Sequence, residues 1–356
     1  MPALQSKDKI LVTGGSGFIA AHVCKTLLEQ GHPVRTTVRN DSKGLYLKEL
    51  FQGKGDFEYV IVEDIGKVGF ELVRELELML AQPHCFDEAV TGVEGIAHTA
   101  SPFYLNAGNA AELIDPAVQG TVGLLQSALD KGSAVKRIVV TSSVAAIMMP
   151  KTGAFTFTEE CWNTESPEVI EKEGDKASGP HMYRASKTLA ERAAWNFCET
   201  NQPNWDLVVV NPPFAFGPII HQVDKPEQLN TSVATFYAYT HGQKTEADLG
   251  GSPGNWADVR DIAYGHFRAL VVPEASGERF ILASGPFSSQ GIVDVIHSFV
   301  PEVKGVPIGK PGSGKEVEAR SVVFSSEKAQ KVLGVDFMSF EKCLLDMHHS
   351  LEQRFT

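Results

Sequence analysis

The sequence predicts an α/β protein built on a doubly wound parallel sheet, with a smaller C-terminal lobe. Three observations carry this expectation. Short apolar runs recur along the chain, amphipathic helical stretches separate them, and the first run breaks on T-G-G-S-G-F-I-A at 13–20. Apolar runs without polar alternation suit strands covered on both faces, and helical crossovers between them suit parallel pairing.

Residues 9–13 form the first predicted strand. A helical pattern through Val23, Leu27 and Leu28 follows and closes at Gly31, before a second strand over 34–38. In this strand, turn, helix, strand context, Gly14 permits the tight turn and Gly17 lets the backbone approach a pyrophosphate. Phe18 and Ile19 open the helix whose N–H groups face that anion. Ala20 stands where the fingerprint usually has a third glycine and is still small enough for close packing. The expected lobe is therefore a Rossmann-type nucleotide-binding domain.

The end of the second strand bears on which nucleotide is bound. V-R-T-T-V-R-N-D-S-K at 34–43 places Arg39 at the strand end, with Arg35 and Lys43 as helpers, which suits a ribose 2′-phosphate and hence NADP. Asp41 is the competing signal, because a carboxylate there would suit the free hydroxyl of NAD. A third strand over 57–62 leads to Asp64 and Ile65, where the carboxylate would meet the adenine amine. Residues 68–82 are helical by period but long for this crossover. The fourth strand, 95–98, opens onto H-T-A-S-P-F and puts Ala100 and Ser101 at the carboxyl edge of the sheet, where ligands bind in such folds. After a helix over 110–131, a fifth strand over 137–141 ends at Thr141 and delivers Ser142 and Ser143 to the same edge.

The stretch 179–195, G-P-H-M-Y-R-A-S-K-T-L-A-E-R-A-A-W, places Tyr183 and Lys187 at i and i+4 of a predicted helix. A phenol titrates near 10 and exchanges protons usefully near neutrality when a nearby ammonium stabilises its phenolate. A sixth strand over 205–210 runs into N-P-P-F-A-F-G-P, where prolines, Pro212 among them, must take the chain out of the ladder. Leu229, Val233, Phe236 and Tyr237 then recur at helical spacing. Val144 and the aromatic set Phe103, Phe214, Phe236 and Tyr237 are the expected substrate wall. D-V-R-D at 258–261 reads as a turn capping the next helix through Asp261, and 279–282 reads as a strand returning to the sheet. G-K-P-G-S-G-K-E at 309–316 lacks the Ser or Thr of a phosphate-binding loop and reads as a mobile flap over the site. The expected division is a nucleotide-binding domain over 1–213 and a substrate lobe mainly over 214–356, interleaved by the returning strand.

Composition narrows the function classes. The 356 residues are 43% hydrophobic, enough for a large core, and a net charge of −12 with no basic stripe argues against nucleic-acid or anionic-membrane partners. Five scattered cysteines with no C-x-x-C suit reduced thiols and give no metal site, and no stretch is long and apolar enough to span a bilayer. The expected protein is cytoplasmic, metal-free and directed at a small molecule.

T-G-G-S-G-F-I-A, H-T-A-S-P-F, P-A-V-Q-G-T, V-V-T-S-S, Y-R-A-S-K, N-P-P-F-A-F-G-P and W-A-D-V-R-D-I-A occur in one order over about 9–334. In that order the chain resembles the extended short-chain dehydrogenase/reductases. It looks like their dihydroflavonol-reductase-like branch, and within it the fungal aldehyde and ketone reductases such as yeast methylglyoxal reductase, with which it shares L-N-T-S at 229–232 and I-G-K-P-G-S-G at 308–314. The resemblance implies a triad of Ser143, Tyr183 and Lys187, NADPH as hydride donor, a carbonyl substrate, and helices from 110 and 183 as the surface for a homodimer. It implies the second serine rather than Ser142 because of its place two residues past the threonine. Departures are Gln119 where many relatives have asparagine, Val144 where the yeast enzyme has an aromatic residue, and Pro213-Phe214 in N-P-x-x. Residues 68–82 have no counterpart, and removing them leaves D-I-G-K-P-H-C-F-D-E-A-V, so they are either a surface insertion or a translated in-frame intron. A nucleotide-sugar epimerase or dehydratase, and an NADP-binding regulatory protein, are the alternatives that share this fold.

Overall fold

The structure is a computed structural model that describes residues 3–62, 84–101, 109–151, 153–251, 253–299 and 305–355. Its strands are β1 (Ile10–Thr13), β2 (Val34–Val38), β3 (Phe57–Ile61), β4 (Gly95–His98), β5 (Arg137–Thr141), β6 (Thr156–Phe157), β7 (Asp206–Asn211), β8 (Phe214–Phe216), β9 (Gly254–Asp258), β10 (Arg279–Ile281), β11 (Gly285–Phe287) and β12 (Val323–Phe324). Seven of them form one parallel sheet in the order β10-β7-β5-β4-β1-β2-β3. The chain steps outward from β1 to β3, then restarts at β4 on the other side of β1. Between β1 and β4 the connections diverge, which opens a crevice at the carboxyl edge.

Alternation along the strands explains why the sheet is covered on both faces. Ile10 and Val12 of β1 enter one core cluster with Val23, Leu27 and Leu28, whereas Leu11 enters another with Leu124, Leu125, Ala194 and Phe197. Among the described residues the first six α-helices are α1 (Phe18–Glu29), α2 (Asp41–Leu50), α3 (Asp87–Val90), α4 (Ala111–Lys131), α5 (Glu165–Glu173) and α6 (Gly179–Asn201), and α1, α4 and α6 supply these residues. Thus α1 packs on one face and the α4 and α6 pair on the other. Buried stripes of α4 and α6 are taken up by the sheet, so their apolar character does not by itself call for a second subunit.

Beyond β7 the chain leaves the sheet, as the prolines require, and β8 joins β9 and β11 in a separate three-stranded sheet, while β12 pairs with β6. The remaining helices are α7 (Thr231–Thr240), α8 (Val259–Val271), α9 (Ser289–Phe299), α10 (Gly314–Glu318) and α11 (Phe340–Phe355). β10 returns to pair with β7, fixing the two parts to each other.

Two expectations for this region change. The cap of α8 is Asp258, whose carboxylate accepts the Arg260 N–H at 2.8 Å, whereas Asp261 reaches away to the Met338 N–H at 2.9 Å. The segment 309–316 is tethered rather than free. Glu246 accepts the N–H groups of Ile308 and Gly309 at 2.9 Å each, Gln290 accepts that of Lys310 at 3.0 Å, and Asp294 accepts that of Gly312 at 2.9 Å. These carboxylates occupy the amides that an anion would need. Residues 68–82 lie outside the described residues. No helix among the described residues is long and apolar enough to cross a membrane.

Candidate active site

The turn after β1 is shaped by what it must clear. Gly14 has φ +72, and a Cβ there would lie 3.1 Å from the Ala100 Cβ, so the turn presses against the residues following β4. Thr37 Oγ1 accepts the Gly14 N–H at 2.9 Å and the Thr37 carbonyl accepts that of Gly15 at 3.0 Å, while Thr13 Oγ1 accepts the N–H groups of Thr99 and Ala100 at 3.1 and 3.0 Å. These bonds tie the β1 turn to β2 through Thr37 and β1 to the turn after β4 through Thr13. Gly17 caps α1 with an ordinary extended backbone, so its lack of a side chain serves approach rather than conformation, and a Cβ would sit 3.3 Å from the Gly14 carbonyl. Phe18 turns its ring inward against His22 and His221, with centroids 5.9 and 5.4 Å away, leaving its backbone N–H at the helix start. Ile19 is half-buried beside it.

At the end of β2, Arg39 is exposed and has no hydrogen-bond or ion-pair partner among the described residues. Asn40 caps α2 by accepting the Lys43 N–H at 3.2 Å. Asp41 is already engaged, accepting the Tyr59 hydroxyl at 2.7 Å, and the Tyr59 ring lies over Gly44 where a Cβ would overlap it. Arg35 does not help at this end. Its register partner across the strands is Glu58, which accepts its Nε at 2.8 Å, and its Nη1 is used by the carbonyls of Ala89 and Thr91. Asp64, Ile65 and Phe103 lie outside the described residues.

The structure brings Ser143, Tyr183 and Lys187 together at the carboxyl edge. Helix α6 starts with Pro180 in its first turn and carries Tyr183 and Lys187 on one face. The Lys187 Nζ donates to Ser101 Oγ at 2.7 Å and lies 5.9 Å from the centroid of the Tyr183 ring. Lys187 is only 9% exposed, and burial lowers its ammonium to about 8. Tyr183 is hydrogen-bonded to Ser143 and raised to about 12 by burial, with the Ser143 bond pulling the other way. Desolvation thus outweighs the Ser143 bond at the phenol, which is raised rather than depressed. The two serines also separate. Ser142 Oγ is spent on Glu191 at 2.6 Å, whereas Ser143 Oγ accepts the Ala145 N–H at 3.1 Å and faces the phenol.

Other candidates fall less centrally. The Thr141 hydroxyl is bound to His266 Nε2 at 2.7 Å, since His266 Nδ1 donates to the Ile262 carbonyl at 2.7 Å, and burial keeps that imidazole neutral. The Pro212 carbonyl accepts the Val144 N–H at 3.1 Å and the Ser143 hydroxyl at 3.4 Å. Gln119 leaves its Oε1 buried without a partner among the described residues. Phe214 is 46% exposed, braced edge-on by Phe287 at 5.9 Å, and Val144 is buried in a small apolar cluster nearby in sequence to Ser143. Phe236 is a correction: it is 0% exposed inside the main core, because α7 turns that stripe inward. Tyr237 stacks on His241 at 3.7 Å, meets Phe355 at 5.8 Å and packs against the main core. Reasoning from sequence missed Thr13, Thr37, Asn211, Glu191 and Phe287. The one available signal was Glu191, a further turn along α6 on the face of Tyr183 and Lys187.

Comparison with known proteins agrees with this arrangement. Residues 10–283 match the NAD dependent epimerase/dehydratase family. The chain is 36% identical over 351 residues to Ketoreductase azaE of Aspergillus niger, with 95% of this chain and 96% of that protein covered. It is 33% identical over 346 residues to the NADPH-dependent methylglyoxal reductase GRE2 of Saccharomyces cerevisiae, covering 95% and 96%. The crystal structure of yeast methylglyoxal/isovaleraldehyde reductase Gre2 complexed with NADPH superimposes with a TM-score of 0.83 at 30% identity, over 98% of this chain and 100% of that one. With its seven-stranded parallel sheet, glycine turn and Ser143, Tyr183 and Lys187 in place, the chain belongs to the NAD dependent epimerase/dehydratase family, the extended short-chain dehydrogenase/reductases.

Proposed function

We propose that this chain is an NADPH-dependent reductase that converts aldehydes and ketones to alcohols. The observation that carries the reading is the convergence of Ser143, Tyr183 and Lys187 beside a glycine turn too tight for side chains. Exposed Arg39, with Asp41 held by Tyr59, supports a 2′-phosphate over a free ribose hydroxyl. When bound, NADPH supplies the hydride for the carbonyl carbon.

The protein's own groups do the rest. Gly14, Gly17 and the N–H groups of Phe18 and Ile19 would hold the pyrophosphate and Arg39 and Lys43 the 2′-phosphate, with Asp64 and Ile65 the sequence-based candidates for the adenine. Ala100, Ser101, Thr141 and Pro212 would flank the nicotinamide half, and Lys187, now bonded to Ser101, would be the group to hold the ribose hydroxyls. Ser143 donates to the carbonyl oxygen and places it, and Tyr183 hands that oxygen its proton. A reductase needs the phenol neutral before transfer, and burial keeps Tyr183 protonated up to about 12. The phenolate that remains is stabilised by the Ser143 hydroxyl and the Lys187 ammonium. Val144 and Phe214, joined by Phe287, form the apolar flank for the substrate, with residues 1–213 as the nucleotide domain and 214–356 mainly as the substrate lobe. Five free thiols suit a cytoplasmic protein.

The test is NADPH consumption, followed by its near-ultraviolet absorbance, with methylglyoxal, an aryl ketone, a β-keto ester and a nucleotide sugar. Turnover of the carbonyl compounds is the expected result. A nucleotide sugar epimerised or dehydrated with no net NADPH consumption, read from its products, would move the function to epimerase or dehydratase chemistry, and NADPH binding without any turnover would mark a regulatory protein.

A further inference from the structure

Behind the serine turn lies a buried carboxylate that the reaction itself does not use. Glu191 follows Tyr183 and Lys187 at the next helical turn of α6 and is 1% exposed. Its Oε2 accepts the Ser142 hydroxyl at 2.6 Å and Asn211 Nδ2 at 2.9 Å, and its Oε1 accepts Arg279 Nε at 2.6 Å. The same Asn211 amide donates to the Ser143 carbonyl at 3.1 Å. Arg279 in turn donates to the Cys161 carbonyl at 2.9 Å and lies 3.9 Å over the Trp162 ring. One carboxylate thus joins α6, the ends of β5 and β7, and β10.

An ion pair this deep is costly to desolvate, so it is poor evidence for a stabilising role, and apolar side chains would pack as well. What charge and directional bonds supply instead is orientation. Ser142 directly precedes Ser143 and Asn211 donates to the Ser143 carbonyl, and Glu191 accepts from both, from the helix that carries the phenol and the ammonium. Backbone bonds from the Ser142 N–H to the Val210 carbonyl at 2.9 Å and from the Val144 N–H to the Pro212 carbonyl at 3.1 Å fix the turn to β7, and Glu191 adds the directional tie to α6 that apolar packing lacks. We propose that Glu191 is a positioning residue, clamping the Ser143 turn to the Tyr183 and Lys187 helix so that hydroxyl and phenol stay aligned on the substrate oxygen. The proposal rests on the reductase reading above.

Its test uses two variants of different severity. Ser142→Ala removes one hydroxyl from the clamp and leaves the pairs of Glu191 with Arg279 and Asn211 intact. Glu191→Gln removes the charge at constant volume. For both, kcat is expected to fall by about tenfold to a hundredfold with NADPH affinity unchanged. In a Ser143→Ala background, Ser142→Ala is expected to cost nothing more, because its effect runs through Ser143. Should Glu191→Gln fail to fold, the Ser142 and Ser143 cycle decides alone. Additive losses in that cycle, an unchanged kcat in Ser142→Ala, or an equal loss of NADPH affinity would overturn the positioning role while leaving the reductase standing. An unaltered protein that turns over no carbonyl compound would overturn the reductase reading and the positioning role with it.

Discussion

Replacing Lys187 by methionine should make the protein more stable at neutral pH while removing its activity. The ammonium is 9% exposed with Ser101 Oγ as its hydrogen-bond acceptor at 2.7 Å, and burial lowers it from 10.5 to about 8. At about 1.4 kcal/mol per tenfold change in proton affinity, that depression corresponds to about 3 kcal/mol of stability forgone. The sign follows from proton counts. Below about pH 8 Lys187 is charged in both states and the folded state carries the whole penalty. Between about 8 and 10.5 the unfolded chain holds the extra proton, so stability rises with pH until the penalty is gone. Methionine keeps the apolar stem and deletes the charge, but forfeits a charged hydrogen bond worth roughly 1.5–3 kcal/mol. The net expectation is a variant more stable by about 1 kcal/mol near pH 7, roughly 1–2 °C in Tm for a chain of this size. Near pH 10 it should be no more stable than the parent, as urea titrations at both values can decide. A variant less stable than the parent near pH 7, or a difference that does not change with pH, would refute the desolvation argument.

The remaining predictions follow from the same groups. On the proposed mechanism, reduction needs the proton on Tyr183, retained up to about 12, and the charge on Lys187, retained up to about 8, so kcat/KM should decline above about pH 8. A profile flat to about pH 10 would show that Lys187 does not set that limb. Arg39→Ala should raise KM for NADPH by about tenfold or more and leave KM for NADH nearly unchanged, measured as the ratio of the two. An equal effect on both would remove Arg39 from the 2′-phosphate.

Much of the nucleotide half was legible because its signals are local. The runs at 34–38, 95–98 and 137–141 and the glycine turn each announce themselves within a few residues, and the strands fall on those bounds. Failures came where the deciding partner is distant in sequence. Arg35 looked available until β3 placed Glu58 directly opposite it. The glycines of 309–316 suggested mobility, yet the carboxylates of Glu246 and Asp294 and the amide of Gln290 hold that segment from other elements. Phe236 and Tyr237 could be assigned to a helix but not to a face, since helical period gives spacing without direction. Tyr183 and Lys187 were legible as a pair, but the phenol's rise rather than fall depends on burial, which spacing does not encode. Glu191 drew no reading from the sequence, because the donors that bury it come from the turn after β5, from β7 and from β10.

The central claim is that Tyr183 delivers the proton while the chain supplies NADPH with a carbonyl acceptor. It is tested most directly by comparing the parent and Tyr183→Phe for NADPH consumption with an aryl ketone, alongside NADPH binding by fluorescence. The expected result is active parent protein and a Phe variant that binds NADPH as before but turns over about a hundredfold to ten thousandfold more slowly. A Phe variant that retains the parent's rate would contradict the account, since it would leave the proton to come from elsewhere.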